Sequence, residues 1–147
     1  IPEENDTVVR DILVGEELPD IRETSSIEYR PFPEPRGTGG VLCEGIFSKV
    51  VRPKGNYLPR ERVFSVKGKG RAISRHLSHH PYYNVRGEIR KLTPVECERM
   101  QTLPSNYTKF GDYGGKILPL SDDMRYNIIG DGWTAEAVAH FFKGLKK

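Results

Sequence analysis

Two cysteines and four histidines are the side chains of this chain that could act as nucleophiles or bind a metal. Cys43 and Cys97 are too few for a disulfide framework and lack CxxC spacing. We expect both to be small buried side chains in a reducing compartment, although the first turns of a helix could lower the pKa of Cys97. His76, His79 and His80 could form part of a zinc site, but no fourth ligand lies nearby. A polar loop without metal is therefore favoured.

Charge is distributed unevenly along the 147 residues. Residues 1–28 carry nine acidic and two basic side chains, whereas residues 29–91 carry fourteen basic and four acidic ones. A basic middle segment is typical of a surface that binds a polyanion such as nucleic acid, although a solvated basic face would have the same composition. The sequence has no apolar run long enough to cross a membrane and no signal-peptide pattern at its start, so we expect a cytoplasmic protein.

Glycine and proline divide the first two thirds of the chain into short elements. The apolar residues between Thr7 and Leu13 predict a short helix. The other predictions here are an extended linker over residues 29–40, two strands broken at Gly45 over residues 41–52, a strand over 60–66, a turn over 67–70, its returning strand over 71–77, and a loop over 79–83.

The last third of the chain predicts three helices separated by loops. Thr93 and Glu96 form a capping box with Pro94 at the first helical position, and Pro104 should end this helix. A loop follows over residues 109–119. A second helix should run from Ser121 to Gly130, and a third from Thr134, with Val138, Phe141, Phe142 and Leu145 on one apolar face. The fold class is therefore α+β, with a small, irregular, mostly β region followed by three C-terminal helices.

Two motifs in this last third resemble those of a known enzyme family. Residues 90–107, RKLTPVECERMQTLPSNY, resemble the ninth motif of the DNA cytosine-5 methyltransferases, and RYNIIGDGWT, about twenty positions later, resembles the tenth. Two capped helices alone would not explain Arg99, Gln101 and Trp133 together. The ninth motif is matched at Arg90, Lys91, Leu92, Thr93, Pro94, Glu96, Arg99, Met100, Gln101, Pro104 and Tyr107, and the tenth at Gly130, Asp131, Gly132 and Trp133. The resemblance makes Arg90, Glu96, Arg99, Gln101 and Pro104 structural residues.

The resemblance also implies a division of the chain by function. Residues 1–28 would be an acidic lead-in, residues 29–89 the region that recognises double-stranded DNA, and residues 90–147 the C-terminal helical segment. Arg62 to Ser65 and the 67–70 turn match the family, whereas Ala72, Ile73 and Ser74 replace its Thr-Leu pair. Lysines in the turn would meet phosphate, and Arg71 or Arg75 would read guanine. The DNA-binding candidates are Arg60, Arg62, Lys67, Lys69, Arg71, Ser74, Arg75 and His76.

The catalytic features of the family are missing from this sequence. Neither cysteine follows a proline, and the Glu-Asn-Val and Phe-x-Gly-x-Gly motifs are absent. No catalytic residue is therefore assigned, and the chain alone should not methylate DNA. The resemblance implies a C-terminal portion or small subunit, from a bacterial or phage-infected cell, whose helices pack on a Rossmann-like catalytic domain that carries the Pro-Cys nucleophile. Two alternatives are a stand-alone DNA-binding module and a regulator that docks on a complete methyltransferase. An exposed apolar face on the last helix would indicate a missing partner.

The cofactor implied by the resemblance is S-adenosylmethionine. Gly130, Asp131, Gly132 and Trp133 would lie against its methionine end, where close approach of the backbone favours glycine. Asp131 stands where the family has asparagine. It would either pair with the ammonium group of the cofactor or weaken binding, and we expect Asp131→Asn to tighten binding in a reconstituted enzyme. Alternatively, Asp131 caps the last helix.

Overall fold

The computed structural model describes residues 7–13, 28–49 and 57–143, and these residues form two compact units. One unit contains residues 7–13, 28–49, 57–72 and 78–92 and is called the sheet unit. The other contains residues 73–77 and 93–143 and is called the helical unit. Most of the predicted acidic lead-in, the end of the second strand predicted over residues 41–52, and Leu145 lie outside the described residues.

The sheet unit is built on a five-stranded sheet whose strands follow chain order. Neighbouring strands are antiparallel except β3 and β4, which are parallel. Val63, Phe64, Tyr83 and Val85 of the sheet are buried, and so is Val9. The elements are α1 (Val9–Ile12), β1 (Tyr29–Thr38), β2 (Val41–Phe47), β3 (Arg62–Ser65), β4 (Tyr82–Val85) and β5 (Glu88–Arg90), with 3-10 turns at Pro59–Glu61 and Leu77–His79.

The helical unit contains three helices and a two-stranded hairpin. The first helix buries Cys97, and the second buries Tyr126 and Ile129, whereas the third helix buries no residue. The elements are α2 (Pro94–Met100), β6 (Phe110–Asp112), β7 (Ile117–Pro119), α3 (Asp122–Asp131) and α4 (Ala135–Lys143). The α+β class and the three C-terminal helices are therefore confirmed. None of the helices in the described ranges is long and apolar enough to cross a bilayer.

Four predictions for the recognition region are wrong in detail. Residues 29–40 contain strand β1 rather than a linker. Because β1 is at the edge of the sheet and its register shifts between Pro31 and Arg36, its prolines do not interrupt a ladder on both sides. Residues 41–47 form one strand, which has an irregularity between Cys43 and Gly45 instead of a break. Residues 71–77 contain no strand, because β3 pairs with β4 instead, and β4 begins at Tyr82 within the predicted loop.

The predicted boundaries in the helical unit also shift. Helix α2 ends at Met100, before Pro104, because Thr102 adopts a positive φ of 59° and turns the chain away. Residues 109–119 are not an irregular loop, since they contain the β6–β7 hairpin. Helix α3 continues through Gly130 to Asp131, and Gly132 is its C-cap. The capping box at Thr93 and the N-cap at Ser121 are confirmed.

Candidate nucleic-acid interface and cofactor turn

The turn over residues 67–70 is held by backbone contacts from two directions. The Val9 amide donates to the Gly68 carbonyl at 3.0 Å, and the Lys69 amide donates to the Gly40 carbonyl at 2.8 Å. A Cβ atom at Gly68 would lie 2.7 Å from the Leu42 nitrogen, so only glycine allows this approach. The turn therefore presents the exposed Lys67 side chain from a fixed backbone.

The eight DNA-binding candidates do not all belong to one unit. Arg60, Arg62, Lys67, Lys69 and Arg71 are in the sheet unit, and Ser74, Arg75 and His76 are in the helical unit. Arg60, Lys67, Arg75 and His76 are exposed, whereas the other four are partly buried. The structure thus places the first five residues of the predicted set in the sheet unit and the last three in the helical unit.

Arg71 is positioned by aromatic residues of the sheet. Its guanidinium carbon lies 5.4 Å from the centre of the Phe64 ring, and its backbone N–H donates to the Tyr83 hydroxyl at 3.1 Å. Tyr83 is buried, and Tyr82 packs edge-on against Phe47, with ring centres 5.0 Å apart. A cation held over a ring loses less conformational entropy when it binds a phosphate or a base edge.

A cleft of about 370 Å³ lies beside strands β1 to β3. Arg62, a predicted DNA contact, lines it together with Arg36, whose guanidinium carbon is 4.7 Å from the centre of the Phe32 ring. Arg36 is not among the predicted contacts, because the sequence predicts a linker where β1 lies. The remaining lining residues are Gly37, Thr38, Cys43, Ile46 and Tyr57.

Helix α2 begins with a complete capping box. The Thr93 amide donates to Glu96 Oε2 at 2.8 Å, and the Glu96 amide donates to Thr93 Oγ1 at 3.3 Å. Cys97 follows and is buried, and this burial, together with the nearby Glu96 and Glu98 carboxylates, raises the pKa of its thiol far above the usual value. The possibility of a lowered Cys97 pKa is therefore wrong, and both cysteines are buried as expected.

A buried ion pair in the helical unit was missed by sequence reasoning. Glu98 is fully buried and accepts hydrogen bonds from Arg125 Nη2 at 3.0 Å, from the Thr108 amide and hydroxyl, and from the Asn106 amide at 2.6 Å. Burial alone would raise the pKa of Glu98, but these hydrogen bonds outweigh it and hold the pKa below its usual value. No local sequence signal indicates this pair, because Glu98 and Arg125 are 27 positions apart.

Gln101 joins the ninth-motif helix to the tenth motif. Its Nε2 donates to the Ile129 carbonyl at 3.4 Å, and its Oε1 accepts from the Thr134 hydroxyl at 2.9 Å. Its backbone carbonyl also accepts from the Ala135 amide at 3.0 Å. One residue therefore contacts both the end of α3 and the start of α4. The other motif residues lie nearby or in the sheet unit: Arg99 donates to Ser105 Oγ, Pro104 is exposed, and Arg90 is buried in β5.

Replacing Gln101 by alanine should lower the free energy of unfolding by about 1–2 kcal/mol, because two side-chain hydrogen bonds are lost. Gln101→Glu keeps the acceptor for Thr134 but places a carboxylate against the Ile129 carbonyl, so its destabilisation should be larger at pH 7 than near pH 4. Urea unfolding followed by circular dichroism measures both variants. An alanine variant as stable as the parent protein would show that these contacts are not maintained in solution.

The Gly130 to Trp133 segment is the predicted cofactor turn. Asp131 is the last residue of α3 and lies 3.7 Å from Arg75 Nε, so it does not cap α4, which begins at Ala135. Trp133 is 75% exposed. A half-exposed carboxylate beside a guanidinium has the acceptor and donor groups that a zwitterion such as the methionine end of S-adenosylmethionine would need.

The histidines that suggested zinc do not converge with other ligands. No group of three or more His, Cys, Asp or Glu side chains suited to a metal occurs among the residues that the structure describes. His80 is buried, whereas His76 and His79 are exposed.

Comparison with protein families gives a match that spans the whole sequence. The model of the C-5 cytosine-specific DNA methylases matches residues 1–147. The search of curated proteins found no match to this chain.

Proposed function

Because the chain belongs to the C-5 cytosine-specific DNA methylase family, we propose that it is the C-terminal portion or small subunit of such an enzyme. In this function it recognises double-stranded DNA and completes the S-adenosylmethionine pocket of a Rossmann-like catalytic domain that supplies the Pro-Cys nucleophile. The division into a recognition region over 29–89 and a helical segment over 90–147 is part of the proposal.

The observation that carries the proposal is the exposed apolar surface of the helical unit. Phe141 and Phe142 of α4 are 70% and 63% exposed, and Trp133, the last residue of the predicted cofactor turn, is also exposed. Large apolar side chains that cluster on a surface are typical of a protein interface. Their exposure favours a missing catalytic partner over a stand-alone DNA-binding module, whose last helix would be covered within the chain.

The cofactor supplies an activated methyl group, and the residues of this chain would bind and orient it. Asp131 can accept hydrogen bonds from the ammonium group of the cofactor, and Trp133 can cover apolar surface and exclude water. Cytosine must leave the base stack before it can react, so firm binding of the flanking DNA by the basic sheet unit would help to hold the opened duplex.

The DNA-binding part of the proposal predicts a change in salt dependence. Replacing Lys67 and Lys69 together by alanine should weaken binding to duplex DNA and lower the slope of log affinity against log salt by about 2, since each lost phosphate contact contributes about 0.9. Fluorescence anisotropy with a labelled duplex at several salt concentrations measures the slope. The matched control removes two exposed lysines of the helical unit, Lys109 and Lys116. An unchanged slope in the Lys67 and Lys69 variant would remove the 67–70 turn from the interface.

The function as a whole is tested by reconstitution. The chain is co-expressed with the catalytic part of a family enzyme that lacks its own C-terminal region, and transfer of tritiated methyl groups to duplex DNA is measured. We expect methylation only when both parts are present. If the catalytic part alone methylates DNA, and the chain only raises or lowers that rate, the result would favour a regulator. DNA binding without association or methylation would favour the stand-alone module.

A further inference from the structure

A short segment of the predicted recognition region packs with the helical unit. Residues Ile73–Leu77 cluster with residues 93–143, whereas the residues on either side of them, Ala72 and Ser78, belong to the sheet unit. The contact is closest at Gly130. A Cβ atom there would overlap the backbone of Ser74 and Arg75 and would lie only 2.5 Å from Arg75 Cα. Gly130 is therefore required by a contact within this chain.

A second contact joins the same two places. Arg75 Nε lies 3.7 Å from Asp131 Oδ1, and both side chains are about half exposed. Asparagine, which the family resemblance predicts at position 131, could not form this ion pair. The aspartate and the arginine are therefore complementary in charge, and the pair connects the DNA-recognition sequence with the Gly130–Gly132 turn.

We propose that the segment Ile73–Leu77 is a positioning element for the Gly130–Gly132 turn, and that Arg75 orients the turn by pairing with Asp131 instead of reading a base. DNA bound by the recognition region then alters the turn through Gly130 and Asp131, and binding of DNA and cofactor becomes coupled in both directions. The coupling rests on the proposed function. The contact of residues 74 and 75 with Gly130 and Asp131 does not, since it is present in the chain without DNA or cofactor.

The two contacts differ in strength, and this difference guides the choice of variants. An exposed ion pair changes an equilibrium by only about two- to threefold, so Arg75→Gln and Asp131→Asn should cause small, mutually dependent effects. Gly130→Ala forces the Ser74–Arg75 backbone away, while alanine inside α3 favours the helix. This variant should therefore stay folded and separate the segment from the turn.

The contact is tested by nuclear magnetic resonance on the nitrogen-labelled 147-residue chain without DNA. Reporters are the amides of residues 74–76, the amides of Gly130 and Gly132, and the indole of Trp133, which is the only tryptophan. Arg75→Gln should shift the signals of residues 130–133, and Asp131→Asn those of residues 74–76. The double variant should shift them less than the sum of the single variants.

The control is Lys116→Gln, which removes an exposed cation elsewhere in the helical unit and should shift neither set. Unchanged signals of residues 130–133 in Arg75→Gln, or additive shifts in the double variant, would overturn the positioning role.

The coupling is tested by adding duplex DNA to the same samples. DNA should shift the Gly132 and Trp133 signals of the parent chain, and in Gly130→Ala this shift should fall by at least half, while DNA affinity changes less than threefold. Equal DNA-induced shifts in both proteins would overturn the coupling. A chain that binds no DNA would overturn the proposed function and the coupling together, whereas the measurements without DNA would still decide the contact.

Discussion

Replacing Glu98 by alanine is expected to lower the free energy of unfolding by about 3–5 kcal/mol, the usual cost of removing one partner of a buried ion pair. Arg125, which is buried with it, would lose its 3.0 Å partner, and the Thr108 and Asn106 amides would lose their acceptor. This is a large part of the stability of a small domain. Urea unfolding followed by circular dichroism measures the loss.

The matched control is Glu136→Ala, since Glu136 is an exposed glutamate in the first turn of α4. Its removal should change the unfolding free energy by no more than about 0.5 kcal/mol. If Glu98→Ala is too unstable to purify, Glu98→Gln keeps the shape and part of the hydrogen bonding. A Glu98→Ala protein as stable as the Glu136→Ala control would contradict the buried ion pair.

The same pair gives the stability a defined pH dependence. The pKa of Glu98 is lower in the folded protein than its ordinary value, so the unfolded chain binds a proton more readily. Stability is therefore fully present above the ordinary glutamate pKa of about 4.3 and is lost as the pH falls through that value toward the folded pKa. Glu98→Gln should show a smaller loss over this range than the parent protein.

Introducing aspartate at both Phe141 and Phe142 is expected to weaken association with the catalytic part at least about 100-fold. A buried phenylalanine contributes about 1.5–3 kcal/mol, and two such losses correspond to a factor of about 10² to 10⁴ in affinity. Because both rings are exposed in this chain, the isolated protein should keep its fold. Calorimetric titration into the catalytic part measures the affinity.

The matched control for this surface is Ala139→Asp, which introduces an acidic charge at an exposed position of the same helix, off the apolar face. It should change the affinity by less than about threefold, since charges at an interface rim contribute little. Binding of the double phenylalanine variant at the affinity of the Ala139→Asp control would show that α4 is not the docking surface.

Local sequence was sufficient to predict where helices α2 and α3 begin and which residues form the apolar face of α4. Thr93 with Glu96, and Ser121, satisfy amides within three residues of themselves, so no distant residue is needed to predict those caps. The spacing of Val138, Phe141 and Phe142 likewise predicts one apolar face on α4. The two family motifs could be recognised for the same reason, since each is a short continuous run of residues.

The partners of residues distant in sequence could be found only in the folded chain. Glu98 and Arg125 are 27 positions apart, and nothing local to either indicates the other. The 67–70 turn predicted a hairpin, but β3 pairs in parallel with β4 instead. Strand pairing depends on which distant strand is available and not on the turn alone. Gly130 and Asp131 were assigned to the cofactor from their motif, whereas the fold places the backbone of Ser74 and the side chain of Arg75 against them, because the contact closes over more than fifty residues of chain.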